Sequence, residues 1–335
     1  MNSISYQAPS NIALVKYWGK QGNQLPLNPS ISFTLSACRT ETKMALSEKI
    51  ESGMDVELFF EGKRNEVFER KIIAFFQKLE GDFPFLREHK MVIHSSNTFP
   101  HSSGIASSAS SMAALAMCLC GIEGGEVDLK KASYIARLGS GSACRSVYPQ
   151  IAVWGKNNTI SNSSDEYAIP YAEEMDEVFH SFCDTILIAS SGEKSVSSRA
   201  GHALMDTNRF AKQRFAQANE NLIDLIGAMR EGDLERFGEI VEEEALTLHA
   251  LMMTSNPSFI LMKPATLLMI DEIRKFREDT KHPVYFTLDA GPNIHLLYPA
   301  SIQSAISPWI DERLKPLCEN GIMIKDQVGH GPSTI

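Results

Sequence analysis

No stretch of this sequence approaches the ~18–20 consecutive apolar residues that a membrane-spanning helix needs, although 43% of its 335 residues are hydrophobic. Basic residues are in deficit as well. With 32 Lys and Arg against 41 Asp and Glu, the formal net charge is −9, whereas nucleic-acid binding usually calls for a basic face. Neither a membrane nor a nucleic acid is therefore expected as a partner. The opening Met1-Asn-Ser-Ile-Ser-Tyr-Gln lacks a basic segment followed by an apolar run, so no secretory signal is expected. The six cysteines, at 38, 118, 120, 144, 183 and 318, lack the paired spacing of a zinc site. Cys118-x-Cys120 falls in an apolar helical stretch, where buried free thiols are the default. These absences point to a globular protein of a reduced, cytoplasmic compartment with no structural metal. The length suits two domains with separate cores, and no internal repeat is visible.

What is present is concentrated in Pro100-His-Ser-Ser-Gly-Ile-Ala-Ser-Ser-Ala-Ser-Ser-Met112. This small-residue loop follows the strand-like Lys90–His94 and runs into the helical Met112-Ala-Ala-Leu-Ala-Met-Cys-Leu119. Strand, Gly/Ser loop and helix N-terminus together aim backbone N–H groups and a positive dipole end at a phosphate. A mobile serine-rich linker has similar composition, but would not pass at once into an apolar helix. No Gly-Lys-Ser/Thr follows the glycine, so this is not a Walker A loop, and a cation from elsewhere must help neutralise a bound anion. Lys16, Lys20, Arg145 and Arg199 are candidates, because each sits in a glycine- or serine-containing segment.

Periodicity predicts strands near Ile31–Leu35, Asp55–Phe60, Lys90–His94, Asp184–Ala189, Val284–Leu288, His295–Tyr298 and Gly321–Lys325. It predicts helices over Glu66–Leu79, Asp128–Leu138, Thr266–Arg277 and Ile302–Leu317. Two longer helices carry the stripes Phe215 to Met229 and Leu234 to Leu248, separated at Glu231-Gly-Asp233 with Asp233 as N-cap. The run Glu242-Glu-Glu244 is expected on solvated surface, and Asn157–Glu166 in a polar loop. This mixture suits an α+β fold, with a domain boundary near residue 180, giving halves 1–180 and 181–335.

The loop's pattern Pro-x-x-x-Gly-x-x-Ser-Ser resembles the ATP-binding motif of the galactokinase–homoserine kinase–mevalonate kinase–phosphomevalonate kinase (GHMP) superfamily. Three further segments are similar to those of diphosphomevalonate decarboxylases within it: Ala8-Pro-Ser-Asn-Ile-Ala-Leu-Val-Lys-Tyr-Trp-Gly-Lys20, Gly139-Ser-Gly-Ser-Ala-Cys-Arg-Ser146 and Thr287-Leu-Asp-Ala-Gly-Pro-Asn293. The four motifs stand in the family's order and span most of the chain. The resemblance implies the GHMP kinase fold, with a ribosomal-S5-like N-terminal domain and a ferredoxin-like C-terminal domain. It also implies ATP and Mg2+ as cofactors, a small phosphorylated substrate and a homodimer. The expected reaction is ATP-dependent decarboxylation of (R)-5-diphosphomevalonate. A phosphomevalonate decarboxylase, a mevalonate 3-kinase or a catalytically silent relative are the alternatives.

Residue by residue, Asp289 follows an apolar strand beside glycine, where a carboxylate can face a pocket or merely cap the turn at Gly291; the motif makes it the residue that orients or deprotonates a substrate hydroxyl. Arg145 has no acidic residue near it in sequence, and its guanidinium suits a carboxylate, which is the family's assignment. Alternation along a strand from Asn11 to Tyr17 places Lys16 on the face of Ile12 and Leu14, partly buried and paired with Asp289 on the family's pattern, or else snorkelling from the strand end. The resemblance gives Tyr17, Lys20, Ser198 and Arg199 to the diphosphate, although the serine-rich segment from Ser195 could equally cap a helix. It gives Asn11 to orienting Arg145, Ser140 and Ser142 to the substrate loop, and Ser103, Gly104, Ala106, Ser107 and Ser108 to ATP. No side chain is a firm metal ligand; Ser107 is the candidate beside Mg-ATP. His101 departs from the threonine usual in relatives and is read as a loop residue.

Overall fold

The computed structural model describes residues 2–49, 52–100, 105–192, 196 and 198–335. Its larger sheet is built on two long strands, β1 (Ser3–Val15) and β2 (Ser30–Glu48), which pair antiparallel. β3 (Asp55–Phe60) and, after helix α1 (Glu66–Phe76), β4 (His89–Asn97) extend it, with β4 antiparallel to β2 and β3 parallel to β4. Helices α2 (Ser107–Gly121) and α3 (Leu129–Gly139) follow, then β5 (Ile151–Trp154), which pairs with the first residues of β2. Asn65 and Asp128 cap α1 and α3, their side chains accepting backbone N–H groups of the first turn.

The smaller sheet holds β6 (Cys183–Leu187), β7 (Tyr285–Thr287), β8 (Ile294–Tyr298) and β9 (Met323–Gln327), all antiparallel, in the order β7-β8-β6-β9. Between β6 and β7 run α4 (Ser198–Ala203), α5 (Ala211–Glu231), α6 (Leu234–Met253) and α7 (Pro264–Thr280). Gly232 takes the left-handed conformation (φ 69°) that ends α5, and Asp233 then accepts from the Arg236 N–H to start α6, as its position predicts. The α+β class is as expected. Among the described residues no helix is long and apolar enough to cross a membrane.

Three features differ from the sequence reading. β2 runs on to Glu48 because its inward positions beyond Cys38 include Thr40 and Thr42, buried yet polar, so no apolar alternation marks them. Thr40 is satisfied by Ser110 on α2, hydroxyl to hydroxyl at 2.6 Å. The single helix predicted over Ile302–Leu317 is instead a succession of 3-10, α, π and 3-10 turns, consistent with Pro308 and Pro316 removing two N–H donors. The third is a return of the chain end: Ser333–Thr334 pairs with β1, so the last residues rejoin the sheet of the first.

The sheets meet at a bulge. Between Pro9 and Asn11 on β1, the register on β2 jumps from Arg39 to Thr34. The backbone N–H groups of Ser36, Ala37 and Cys38, freed there, all donate to Asp326 on β9 at 2.7–2.8 Å. Such orphaned donors need an acceptor when buried, and a single carboxylate supplies it.

Candidate active site

A cavity of about 1340 Å³ opens between the two sheets' helices and loops, lined by residues from both halves of the chain. One wall is the start of α2. Ala106 adopts a left-handed conformation (φ 40°) immediately before the helix and makes no side-chain cap. No side chain therefore caps the first turn of α2, where the Ala109 N–H donates to the Ala106 carbonyl at 2.7 Å. Ala106, Ser107 and Ser108 line the cavity, and Ser140, also lining it, lies 3.4 Å from Ser108, hydroxyl to hydroxyl. His101, Ser103 and Gly104 lie outside the described residues.

β1 delivers the next group. Asn11, Ala13 and Lys16 line the cavity, whereas Ile12, Leu14 and Val15 pack into the core. The alternation predicted for Lys16 is therefore wrong. A register shift between Ala13 and Val15, with the strand ending at Val15, turns Lys16 to the cavity side. There its buried ammonium lies 3.1 Å from Asp289 Oδ1 and donates to the Ala13 carbonyl at 2.5 Å. Burial pushes the Lys16 pKa below the usual lysine value, while Asp289 and then Glu244 oppose that shift. Asp289 itself stands two residues past β7, with its side chain about a quarter exposed.

Of Glu242-Glu-Glu244, only Glu243 is on the surface. Glu242 and Glu244 are buried, and this corrects the expectation from the acidic run. Glu244 forms a two-bond pair with the equally buried Arg214, at 2.6 and 2.5 Å, and accepts from Asn221 at 2.8 Å. The same pair grips the Lys16 backbone: its N–H donates to Glu244 at 2.8 Å, and its carbonyl accepts from Arg214 at 3.0 Å and from Asn28 at 2.9 Å. Helices α5 and α6 thereby fix the point where β1 ends.

Arg145 is buried in the 3-10 segment Gly141–Val147. It donates to Ser32 Oγ (3.0 Å), Ser30 Oγ (2.6 Å) and Asn11 Oδ1 (3.2 Å). Asn11 is oriented in turn by donating to Ser146 Oγ at 2.7 Å and the Ser142 carbonyl at 3.1 Å. All three of Arg145's partners are neutral, and it makes no ion pair among the described residues. Two of its five N–H groups remain. A buried charge held only by neutral groups is costly.

The Tyr17 hydroxyl is buried and finds no hydrogen-bond partner among the described residues. Lys20 reaches Gln24 at 2.7 Å and lines the cavity. Ser198 and Arg199 begin α4, but their side chains lie outside the described residues. Several lining residues carry no motif signal. Lys71 and Lys78 add cations, and Leu58, Phe60, Phe68, Ile72, Phe75 and Leu115 give an apolar surface. The helical stripe of α1 announces burial but not a cavity. His202 is a further omission, sitting in a segment read only for its serines and arginine.

His202 gives a test of the fold around the site. Burial, with a smaller contribution from Lys20, depresses its pKa to about 3. The unfolded chain, with an ordinary histidine near 6.5, binds the proton first. The resulting stability is full above about pH 6.5 and is lost as pH falls toward 3, by at most about 1.4 kcal/mol per pH unit. Urea unfolding of His202→Gln between pH 7 and 4 should show a flatter pH dependence than the parent. Identical slopes would mean that the imidazole is not buried in neutral form.

Residues 8–168 match the diphosphomevalonate decarboxylase-like N-terminal domain, and residues 185–330 match the mevalonate 5-diphosphate decarboxylase C-terminal domain. The chain belongs to the diphosphomevalonate decarboxylase family. The Candida albicans diphosphomevalonate decarboxylase is 30% identical over 321 residues, covering 91% of this chain and 87% of the relative. The mevalonate diphosphate decarboxylase from Staphylococcus aureus superposes with a TM-score of 0.87 at 30% identity, over 100% of this chain and 98% of its own. A second structure, solved in complex with MVAPP, AMPPCP and magnesium, gives a TM-score of 0.85 at 30% identity and covers 99% and 98% of the two chains. These relatives place the fold in the GHMP class that the motifs imply.

Proposed function

We propose that this family member uses ATP to decarboxylate (R)-5-diphosphomevalonate, giving isopentenyl diphosphate, ADP, phosphate and CO2. The observation that carries the reading is a buried Arg145 with only neutral partners, lining the same cavity as the Lys16–Asp289 pair. Arg145 takes the substrate carboxylate, and Asn11 holds its guanidinium in line. Asp289 accepts the proton of the tertiary 3-hydroxyl as the γ-phosphoryl group of ATP bonds to that oxygen. The phosphate then leaves with the C3–O electrons, the C1–C2 bond breaks to release CO2, and its electrons form the C2–C3 double bond. When the proton passes from Asp289 to the departing phosphate, the restored carboxylate stabilises positive charge as it develops at C3.

The start of α2, with Ala106, Ser107, Ser108 and the loop residues Ser103 and Gly104, takes the ATP phosphates. The apolar surface on α1 and α2 takes the nucleoside. A related structure holds AMPPCP, an ATP analogue, with magnesium. The Ser107 hydroxyl is a hard oxygen ligand at that helix start and suits Mg2+ alongside phosphate oxygens. Bound there, the ion supplies charge neutralisation to the transferring group. No cluster of three or more His, Cys, Asp or Glu suited to a metal occurs among the described residues, so phosphate and hydroxyl oxygens would be the ligands.

Tyr17, Lys20, Ser140, Ser142, Ser198 and Arg199 complete the substrate site. The unpartnered Tyr17 hydroxyl supports a phosphate acceptor beside it. Family membership further supports a cytoplasmic homodimer, with halves 1–180 and 181–335 acting as the two domains. Charge-assisted contacts are worth roughly 1.5–3 kcal/mol each. Removing the β-phosphate should therefore lower kcat/KM at least ~10-fold, and mevalonate itself should hardly react. Steady-state rates with the three substrates test this. Equal or reversed preference for 5-phosphomevalonate would transfer the assignment to a phosphomevalonate decarboxylase.

A further inference from the structure

His202 lines the cavity, yet no step above uses it. The residue is 7% exposed and its ring packs, tilted, against Tyr17 and Trp18, with centroid separations of 4.4 and 4.6 Å. Its Nδ1 accepts from the Gly19 N–H at 3.0 Å. An imidazole that accepts at Nδ1 is neutral there and carries its proton on Nε2. Nε2 makes no hydrogen bond to the described residues.

The neighbouring rings give the donor a place. Trp154, Tyr17, His202 and Trp18 follow one another in contact, the first pair at 4.7 Å. Arg145 lies over Trp154 at 5.9 Å. His202 thus adjoins Tyr17, whose hydroxyl has no hydrogen-bond partner among the described residues. Lys20, whose charge acts on the His202 imidazole, also lines the cavity.

We propose that His202 donates its Nε2–H to phosphate oxygens in the part of the cavity lined by Tyr17 and Lys20, and so helps to select a diphosphorylated substrate. A neutral donor there adds a directed hydrogen bond to the charge supplied by Lys20, and the buried ring, held between Tyr17 and Trp18, loses little freedom in making it. This inference rests on the function proposed above. His202→Phe keeps an aromatic ring between Tyr17 and Trp18 but has no donor. It should raise KM for 5-diphosphomevalonate about 10-fold or more, with kcat changed less than about twofold and KM for ATP unchanged. His202→Gln, which keeps an acceptor and a donor, should recover part of the loss. A purely structural role would move both Michaelis constants together, and that result, or an unchanged diphosphomevalonate KM in the folded Phe variant, would overturn the proposal.

A second measurement does not depend on turnover. Long-range 1H–15N spectra of the wild-type protein should show His202 as the Nε2–H tautomer, with that signal shifting on titration with inorganic pyrophosphate. The opposite tautomer, or a signal indifferent to saturating pyrophosphate, would also overturn the proposal. If the wild-type protein shows no diphosphate preference but the pyrophosphate shift is present, the functional reading fails while the donor assignment stands.

Discussion

Replacing Asp289 with Asn should reduce phosphoryl transfer by ~10²–10⁴-fold, the range for losing a positioned general base, with ATP affinity nearly unchanged. The amide preserves shape but cannot accept the 3-hydroxyl proton, and it brings no charge to C3 as the phosphate departs. It also leaves the buried Lys16 ammonium without its 3.1 Å carboxylate partner, so the thermal midpoint should fall as well. Binding of an ATP analogue separates the effects: the nucleotide contacts proposed at the start of α2 belong to another wall of the cavity. Rapid-quench measurement of ADP formation gives the transfer rate. Near-normal turnover would remove Asp289 from the chemistry.

Arg145→Lys should be nearly as damaging, although it conserves charge. The guanidinium spreads three donors over Ser32, Ser30 and Asn11 while keeping two N–H groups for a ligand. A lysine ammonium has three donors in all and no planar fork, so it must abandon either the scaffold or the carboxylate. Losing two charge-assisted bonds of roughly 1.5 kcal/mol each corresponds to a drop on the order of 10²-fold in kcat/KM for CO2 release. ATP affinity should change little, because the proposed phosphate site lies elsewhere. A lysine variant that decarboxylates like the parent would make Arg145 a structural residue.

Local signals mark the helices, while the family resemblance supplies most of the candidate site residues, and the places where local signals mislead have physical causes. Capping and periodicity found α1, α3, α5 and α6 to within a few residues, because those helices each present an apolar stripe and most have a polar cap. The direction of Lys16 was misread because strict alternation has no allowance for a register shift at a strand end. The acidic run at 242–244 reads as surface unless its partners are known. Arg214 and Asn221 lie more than 20 residues away on the preceding helix, and only the packing of α5 on α6 brings them to Glu244. His202 lacks any signal in sequence because its role depends on Gly19, Tyr17 and Trp18 reaching it across the fold. Arg145 shows the reverse: its segment drew attention through resemblance, while its neutral surroundings became visible only in three dimensions.

Coupling of phosphoryl transfer to loss of CO2 in this cavity is tested most directly by a single-turnover reaction of the purified protein with Mg-ATP and 5-diphosphomevalonate carrying a 14C label at C1, with ADP and labelled CO2 followed separately. One CO2 is expected for each ADP, with isopentenyl diphosphate as the remaining organic product. ADP formed without CO2 would identify a kinase that stops at the 3-phosphate, and the absence of both would contradict the assignment of Lys16, Arg145 and Asp289 to catalysis.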